Sequence, residues 1–197
     1  MKILHLGNSL TLHAPAPHLG WLNNCGMAAS SPEKDYVHRL RAKIMARGMD
    51  VEEMIDNIAE FERDPAGLTP GYVEKYLAFR PDVIVLRICE NTPADKRAAF
   101  GEGYERLLGL LNADRKAAVF CTGAFWSAPD VDAMIQKAAE AQGAVFLSLT
   151  HLQQDRYRAI GLFEHAGVAG HPGDAGMEAI ADTIFAAMEK QGLFAGE

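Results

Sequence analysis

Five short apolar segments alternate with longer segments of helical periodicity, and this alternation limits the fold more than any other feature of the sequence. The apolar segments lie at residues 2–6, 51–55, 82–88, 117–121 and 144–147, the third of them (DVIVLRI) being the strongest. Helices are predicted from about Ser31, over residues 70–78, over 94–111, after Pro129 and over 174–191. Strands that alternate with helices across short connections predict βαβ units and a parallel sheet.

The chain has no internal repeat, low-complexity stretch or linker, so a single domain over residues 1–197 is expected. A formal charge of −7 disfavours nucleic acid or an anionic membrane as a partner. The first ten residues (MKILHLGNSL) hold too few apolar positions for a signal peptide, and no run of 18 apolar residues occurs. A cytoplasmic location is therefore expected, and the oligomeric state stays open, a homo-oligomer included.

The cysteines are odd in number and widely spaced, at Cys25, Cys89 and Cys121. They predict neither a zinc site nor a disulfide framework, and the last two are expected to be small buried residues. His13 and His18 are not at a recognised metal-binding spacing. No metal and no cofactor are expected.

Residues 10–30 form a long segment rich in Pro, Gly, Asn and His, without clear periodicity. An irregular segment of this length within a compact domain is usually functional or disordered. Because it follows the first strand directly, it is placed at the carboxyl edge of the sheet, where open α/β sheets bind ligands.

Three chemically distinctive residues, far apart in sequence, are expected at this edge. Ser9 follows the first strand behind Gly7, Asn91 follows the third strand, and His171 precedes the last helix. A serine hydroxyl becomes a nucleophile when an adjacent base removes its proton, and histidine has a suitable pKa. A backbone N–H or an asparagine amide can stabilise the oxyanion that then develops. Each residue alone has an ordinary explanation as a turn, cap or surface residue, but their joint placement favours catalysis.

The three segments ILHLGNSLT, RICENT and HPGDAGMEAIADTI resemble, in the same order, the conserved blocks of the SGNH (GDSL-like) serine hydrolases. The resemblance implies a flavodoxin-like, three-layer α/β/α sandwich around a parallel five-stranded sheet of order 2-1-3-4-5. It implies that Ser9 is the nucleophile, His171 the general base and Asn91 the oxyanion donor, with the Ser9 N–H as a further donor.

Two positions depart from the pattern of that family. Where the second block offers a glycine N–H, the segment DNIAE places Ala59 as the expected backbone donor. Where most members have an aspartate three residues before the histidine, this chain has Val168. The orienting partner of His171 is then Glu164, a backbone carbonyl at residues 167–169, or a carboxylate from elsewhere such as Glu90.

Further polar and aromatic side chains near the predicted edge are candidates for binding substrate: Asn8, His13, Trp21, Glu90 and Trp126. His13 and Trp21 either line the pocket or cover the sheet edge, and Trp126 either stacks on a sugar or acyl group or packs under a lid. By contrast, His5 is expected to be packed in the first strand. Glu60, Glu62 and Arg63 are expected on a solvated helix face or loop. Asp174 is expected to be the N-cap of the last helix.

The function predicted from these features is hydrolysis of carboxylic esters through an acyl-enzyme, on short acyl groups of small or carbohydrate alcohols. A thioesterase or lysophospholipase is a first alternative, although residues 10–30 hold few large aliphatic side chains for a long acyl group. A non-catalytic carbohydrate-binding protein on the same fold is a second. A flavodoxin-type nucleotide binder is disfavoured because the Ser9 loop lacks the Ser/Thr/Gly run that cradles a phosphate.

Overall fold

A computed structural model describes residues 1–194 of the chain. The residues group into two compact units. The first comprises Met1–Asn8 and Glu52–Thr150, and the second comprises Ser9–Val51 together with the chain from His151 onward. The single domain expected from the sequence stays a prediction.

The first unit is built on a five-stranded, wholly parallel sheet of order β2-β1-β3-β4-β5. The predicted sheet and the strand order implied by the resemblance are thereby confirmed. Each strand lies within two residues of its expected position: β1 Lys2–Gly7, β2 Glu52–Asn57, β3 Val83–Arg87, β4 Ala118–Thr122 and β5 Val145–Leu147.

The central strands are buried on both faces, which explains why their sequences are nearly continuous apolar runs. Successive residues of a strand point to opposite faces, yet Ile3, Leu4, His5 and Leu6 of β1 are all fully buried. His5 lies 3.2 Å from Glu53 Oε1 on the neighbouring strand, and its prediction as a packed histidine is confirmed.

Four helices belong to the first unit: α2 Ala59–Arg63, α3 Glu74–Phe79, α4 Arg97–Leu111 and α5 Pro129–Gln142. Their apolar side chains form one core with one face of the sheet, in which Phe100, Tyr104 and Ile135 pack among residues of β1, β3 and β4. The helices predicted from residues 70 and 94 begin instead with the 3-10 turns Pro70–Val73 and Ala94–Lys96.

The second unit contains α1 Tyr36–Met45, the short α6 Ala166–Ala169 and α7 Asp174–Lys190. Helix α1 begins later than predicted, because Ser31 precedes a separate 3-10 turn, Pro32–Lys34. The N-cap of α1 is Asp35, whose carboxylate accepts the His38 N–H at 2.8 Å. Helices α1 and α7 pack together, and Lys43 bridges Glu178 and Asp182 across them.

Residues 10–30 are irregular but ordered by their own hydrogen bonds. Isolated antiparallel bridges join His13 to Cys25 and Ala16 to Trp21 around the 3-10 turn Pro17–Leu19. The Gly26 N–H donates to the Asp35 carboxylate at 3.0 Å. All three cysteines are buried free thiols, as predicted for Cys89 and Cys121.

Candidate active site

Ser9 and His171, both in the second unit, form a hydrogen-bonded pair. Ser9 Oγ lies 2.9 Å from His171 Nε2, and both residues are partly exposed. Ser9 is the first residue after Asn8, which itself follows β1, and its carbonyl accepts the Met27 N–H at 2.8 Å. The hydroxyl is therefore held at a strand end with its proton directed at an imidazole nitrogen, the arrangement that nucleophilic catalysis requires.

The opposite nitrogen of the imidazole, His171 Nδ1, lies 2.7 Å from the carbonyl oxygen of Gly167. A carbonyl can only accept, so Nδ1 carries the hydrogen and, in the neutral ring, Nε2 is left as the acceptor that faces Ser9. Three partners were expected for His171: Glu164, a backbone carbonyl at residues 167–169, or another carboxylate such as Glu90. The structure places a backbone carbonyl, that of Gly167, against Nδ1. Glu164 lies on the exposed segment before α6.

The main chain from His171 to Gly173 is fixed by hydrogen bonds to residues 157–159. The His171 carbonyl accepts the Ala159 N–H at 2.9 Å, and the Gly173 N–H donates to the Tyr157 carbonyl at 3.0 Å. Helix α7 approaches this segment so closely that a Cβ on Gly176 would overlap the Tyr157 carbonyl oxygen and lie 2.7 Å from Pro172 Cβ. A glycine at 176 therefore allows the contact that keeps the histidine segment in place.

Asp174 is not the N-cap of α7, contrary to the prediction. Gly173 occupies the cap position, and Asp174 is the first residue of the helix. Its carboxylate accepts the Ser30 N–H at 2.8 Å and the Ser30 hydroxyl at 2.7 Å. Asp174 consequently ties the end of the irregular segment to the helix that follows His171.

A buried polar cluster lies at the carboxyl edge of the sheet in the first unit, centred on Asn8. The Asn8 side chain is fully buried and donates to Glu62 Oε1 at 3.0 Å and to Glu90 Oε2 at 2.7 Å. The predicted substrate-binding residue Asn8 thus donates to two carboxylates. These contacts connect the residue before Ser9 to helix α2 and to the segment after β3.

Glu90 forms a buried ion pair with Arg87, the side chains being 2% and 0% exposed. Glu90 also accepts the Phe125 N–H at 3.0 Å. Burial disfavours the ionised form of Glu90, but the charge of Arg87 and these hydrogen bonds outweigh it and hold the pKa of Glu90 below its ordinary value. Glu90 therefore carries a negative charge and joins the loops after β3 and β4.

Glu62 was expected on a solvated face, and this prediction is wrong because its side chain is fully buried. Its Oε2 accepts the Asn91 side-chain amide at 2.6 Å, and its Oε1 accepts the Asn91 backbone N–H at 3.2 Å. Burial and the charge of Glu90 raise the pKa of Glu62, and the amide donors offset part of that rise. A carboxylate five residues beyond β2, at the edge that holds Asn8 and Asn91, is the sequence signal that could have identified it.

The contacts of the other predicted site residues do not indicate a catalytic role. The Ala59 N–H donates to Asn57 Oδ1 at 3.0 Å within its own turn. Trp21 is 1% exposed, its indole N–H donates to the His13 carbonyl at 3.2 Å, and its ring packs 6.1 Å from that of Phe163.

Trp126 and His13 are both partly exposed. The Trp126 ring meets that of Phe125 edge to face, with centroids 5.7 Å apart, and His13 Nδ1 lies 2.6 Å from the Ala14 carbonyl. The roles predicted for these residues in substrate binding stay predictions.

Among residues 1–194, no group of three or more His, Cys, Asp or Glu side chains is arranged to hold a metal ion. Over the same residues, no helix combines the length and the apolar character that crossing a bilayer demands.

No model of a known protein family matches the chain, and no curated protein sequence matches it either. Several solved structures do resemble it. The acetyl xylan esterase AlAXEase superposes with a TM-score of 0.63 at 16% identity, over 95% of this chain and 99% of that one.

The two-domain esterase CEX, active on acetylated mannans, gives a TM-score of 0.64 at 19% identity, over 96% of this chain and 48% of the other. A protein from Bacteroides uniformis assigned as a GDSL-like lipase gives 0.54 at 13% identity, over 96% and 95%. At these identities the likeness establishes a shared fold.

Proposed function

We propose that this chain, which has the fold of the SGNH (GDSL-like) esterases, is a serine esterase that removes short acyl groups, acetyl above all, from carbohydrate or other small alcohols. The observation that carries the proposal is the Ser9–His171 pair, in which Nε2 is the acceptor atom of the neutral imidazole because Nδ1 donates to the Gly167 carbonyl. A partly exposed serine hydroxyl next to a base in the accepting tautomer is the minimal apparatus for acyl transfer.

In the first half-reaction, Ser9 Oγ attacks the ester carbonyl while His171 Nε2 takes the hydroxyl proton. The tetrahedral intermediate collapses as the bond to the alcohol oxygen breaks, and His171 returns the proton to that oxygen. The acyl group is then esterified to Ser9. Water attacks this ester with His171 as base, the acid is released, and Ser9 regains its proton.

Two donors are proposed for the oxyanion. One is the Ser9 backbone N–H, and the other is the side-chain amide of Asn91, on the loop after β3. Asn91 and Asn8 share the carboxylate of Glu62, and Ser9 follows Asn8 in the chain, which supports the assignment of Asn91. The predicted Ala59 donor has less support because Asn57 already accepts its N–H.

The preference for acetylated carbohydrate draws on two observations. Acetylated xylan and mannan are what two of the similar structures act on, although that similarity is one of fold. In addition, a groove in the second unit is lined by both polar and aromatic side chains, including His18, Phe163, Glu164 and His165. Such a mixture suits a sugar ring and its hydroxyl groups better than a long alkyl chain.

The test is covalent labelling of the purified protein with a fluorophosphonate, combined with hydrolysis of p-nitrophenyl acetate. Ser9→Ala is expected to abolish labelling, and both Ser9→Ala and His171→Ala to lower kcat/KM by at least about 10⁴-fold. Ser148→Ala and His151→Ala, at exposed positions, serve as matched controls and should behave as wild type.

A folded wild-type protein that is neither labelled nor active on acetyl, butyryl and octanoyl esters would refute the proposal and favour a non-catalytic carbohydrate binder. A rate that rises with acyl length would favour the thioesterase or lysophospholipase alternative. Release of acetate from acetylated xylan or mannan oligosaccharides would support the carbohydrate substrate.

A further inference from the structure

We propose that Glu62 is a positioning residue for catalysis, which fixes the orientation of the Asn91 amide and leaves its second N–H free to donate to the oxyanion. The inference rests on the function proposed above and extends it to a residue that does not touch the substrate. This role would also explain why the Glu62 carboxylate is buried beside that of Glu90.

The carboxylate holds Asn91 at two points. Glu62 Oε2 accepts the Asn91 Nδ2 hydrogen at 2.6 Å, and Oε1 accepts the Asn91 backbone N–H at 3.2 Å. Both the main chain and the side chain of Asn91 are thus attached to one side chain on α2. Asn91 itself is exposed although its partner is fully buried, so its amide stands at the edge of the cluster rather than inside it.

When Glu62 is ionised, its carboxylate also decides which way the Asn91 amide faces. It can only accept hydrogen bonds, so the atom of Asn91 that faces Glu62 must be the nitrogen. The planar NH₂ group has two hydrogens, of which one is directed at Glu62 Oε2 and the other is held at a fixed angle to it. A preorganised donor of this kind needs no reorientation when negative charge develops, which is the source of its catalytic value.

The same carboxylate joins Asn91 to Asn8, the residue that precedes the nucleophile. Glu62 Oε1 accepts the Asn8 amide at 3.0 Å, and Asn8 in turn donates to Glu90 Oε2 at 2.7 Å. Burial makes the ionised form of Glu62 costly, and its pKa is raised as a result. Asn8 donates to both carboxylates, whereas the guanidinium of Arg87 pairs with Glu90. The amide donors are thus the groups that stabilise the charge of Glu62.

Glu62→Gln tests the inference because it keeps the size of the side chain but mixes one donor with one acceptor. The glutamine NH₂ must then face an amide hydrogen of Asn8 or Asn91, or force one of these amides to turn over. We expect kcat on p-nitrophenyl acetate to fall about 10- to 100-fold, a part of what removing an oxyanion donor costs. KM should change less than about 2-fold, because the donor acts mainly on the transition state.

Glu60→Gln is the matched control, since Glu60 lies on the same helix α2, is exposed, and accepts the peripheral Tyr72 hydroxyl in a hydrogen bond at 2.9 Å. It should retain the wild-type kcat. The route through Asn91 is tested by Asn91→Ala with and without Glu62→Gln. If Glu62 acts by positioning Asn91, Glu62→Gln costs little more once that amide is gone.

The outcomes separate this inference from the proposed function. A wild-type protein without labelling or turnover refutes the function, whereas an active wild type with an equally active Glu62→Gln refutes only the role of Glu62. An equal fold-loss in the presence and absence of Asn91 overturns the inference, because the effect of Glu62 would then not depend on Asn91.

A measurement on the wild type serves if Glu62→Gln does not fold. The side-chain amide resonances of Asn91, identified by their loss in Asn91→Ala, should show one strongly downfield, slowly exchanging proton. Two ordinary, rapidly exchanging protons would contradict the proposed orientation.

Discussion

The buried pair of Arg87 and Glu90 leads to a prediction about stability. Replacing Glu90 by Gln removes the anion from a guanidinium that is 0% exposed. It also turns one accepting oxygen into an NH₂ group, either beside the Phe125 N–H or beside the Asn8 amide, both of which are donors. Removing one partner of a buried ion pair typically costs about 3–5 kcal/mol, because the remaining charge is left buried without compensation.

For a chain of this length each kcal/mol corresponds to about 2–4 °C, so the expected fall in Tm is about 6–20 °C. Urea denaturation followed by far-UV circular dichroism and by tryptophan fluorescence would measure the loss in the free energy of unfolding. Asp130→Asn is the control, because Asp130 pairs with Arg97 in the same chemical way but with side chains 46% and 39% exposed. It should cost about 0–1 kcal/mol.

The double variant Arg87→Met/Glu90→Gln distinguishes the ion pair from simple packing. It removes the uncompensated charge and should recover at least about 1 kcal/mol of the loss in Glu90→Gln. The reasoning is refuted if Glu90→Gln costs no more than Asp130→Asn, or if Arg87→Met makes Glu90→Gln less stable still.

Four further predictions follow. Gly176→Ala should destabilise the fold and slow phosphonate labelling of the nucleophile, because its Cβ would strike the Tyr157 carbonyl, whereas Gly109→Ala, with only ordinary contacts, should be neutral or stabilising by up to about 1 kcal/mol. Asp35→Ala should cost about 1–2 kcal/mol in urea denaturation through the lost cap of α1, and an unchanged midpoint would contradict that role. The pKa of Glu62 is raised, so its contribution to stability is largest below the ordinary glutamate pKa and is lost as pH rises through the raised value. The difference in unfolding free energy between wild type and Glu62→Gln should therefore become less favourable to wild type as pH rises through the raised pKa. A difference that does not change with pH would contradict the raised pKa. Iodoacetamide should leave the folded protein unmodified and label three thiols after denaturation, since burial raises the pKa of every cysteine, to about 12 at Cys25 and Cys121.

The parallel sheet and the choice of Ser9 and His171 as candidates were accessible from the sequence because the segments that contain them have recognisable local patterns. Continuous apolar runs such as residues 82–88 reflect burial on both faces, and a polar residue just after a strand lies at the carboxyl edge wherever the strand sits in the sheet. The resemblance of the blocks around these residues supplied the strand order, which periodicity alone does not contain.

Glu62 could not be placed from its neighbours, because its surroundings come from elsewhere in the chain. Glu60 and Arg63 on either side are exposed, which suggests a solvated helix. The partners that make burial of Glu62 tolerable are 54 and 29 residues away, at Asn8 and Asn91. Whether a carboxylate can be buried depends on such distant hydrogen-bond donors and not on the hydropathy of its neighbours in sequence.

Helix starts failed for a related reason. Ser31-Pro32 has the composition of a helix start, and so has Asp174 before the last apolar face. In the folded chain Asp35 caps α1 and also holds the Gly26 N–H, while Asp174 binds Ser30. Tertiary partners thus decide whether a side chain that could cap a helix does so: Asp35 caps α1, whereas Asp174 binds Ser30 and the cap position of α7 is Gly173.

Because the group that orients His171 is a backbone carbonyl, no single amino-acid substitution can remove it. A carboxylate partner is encoded by one codon and can be deleted by one missense change, but every amino acid at position 167 supplies a carbonyl oxygen. Substitutions there act instead through the shape of the main chain, since a Cβ at Gly167 would lie 2.9 Å from the His165 ring. A mutational scan should therefore find no acidic position in this segment whose loss mimics His171→Ala, and should find graded losses across residues 165–170. The tautomer of His171 therefore depends on the conformation of a backbone turn and not on the identity of one side chain.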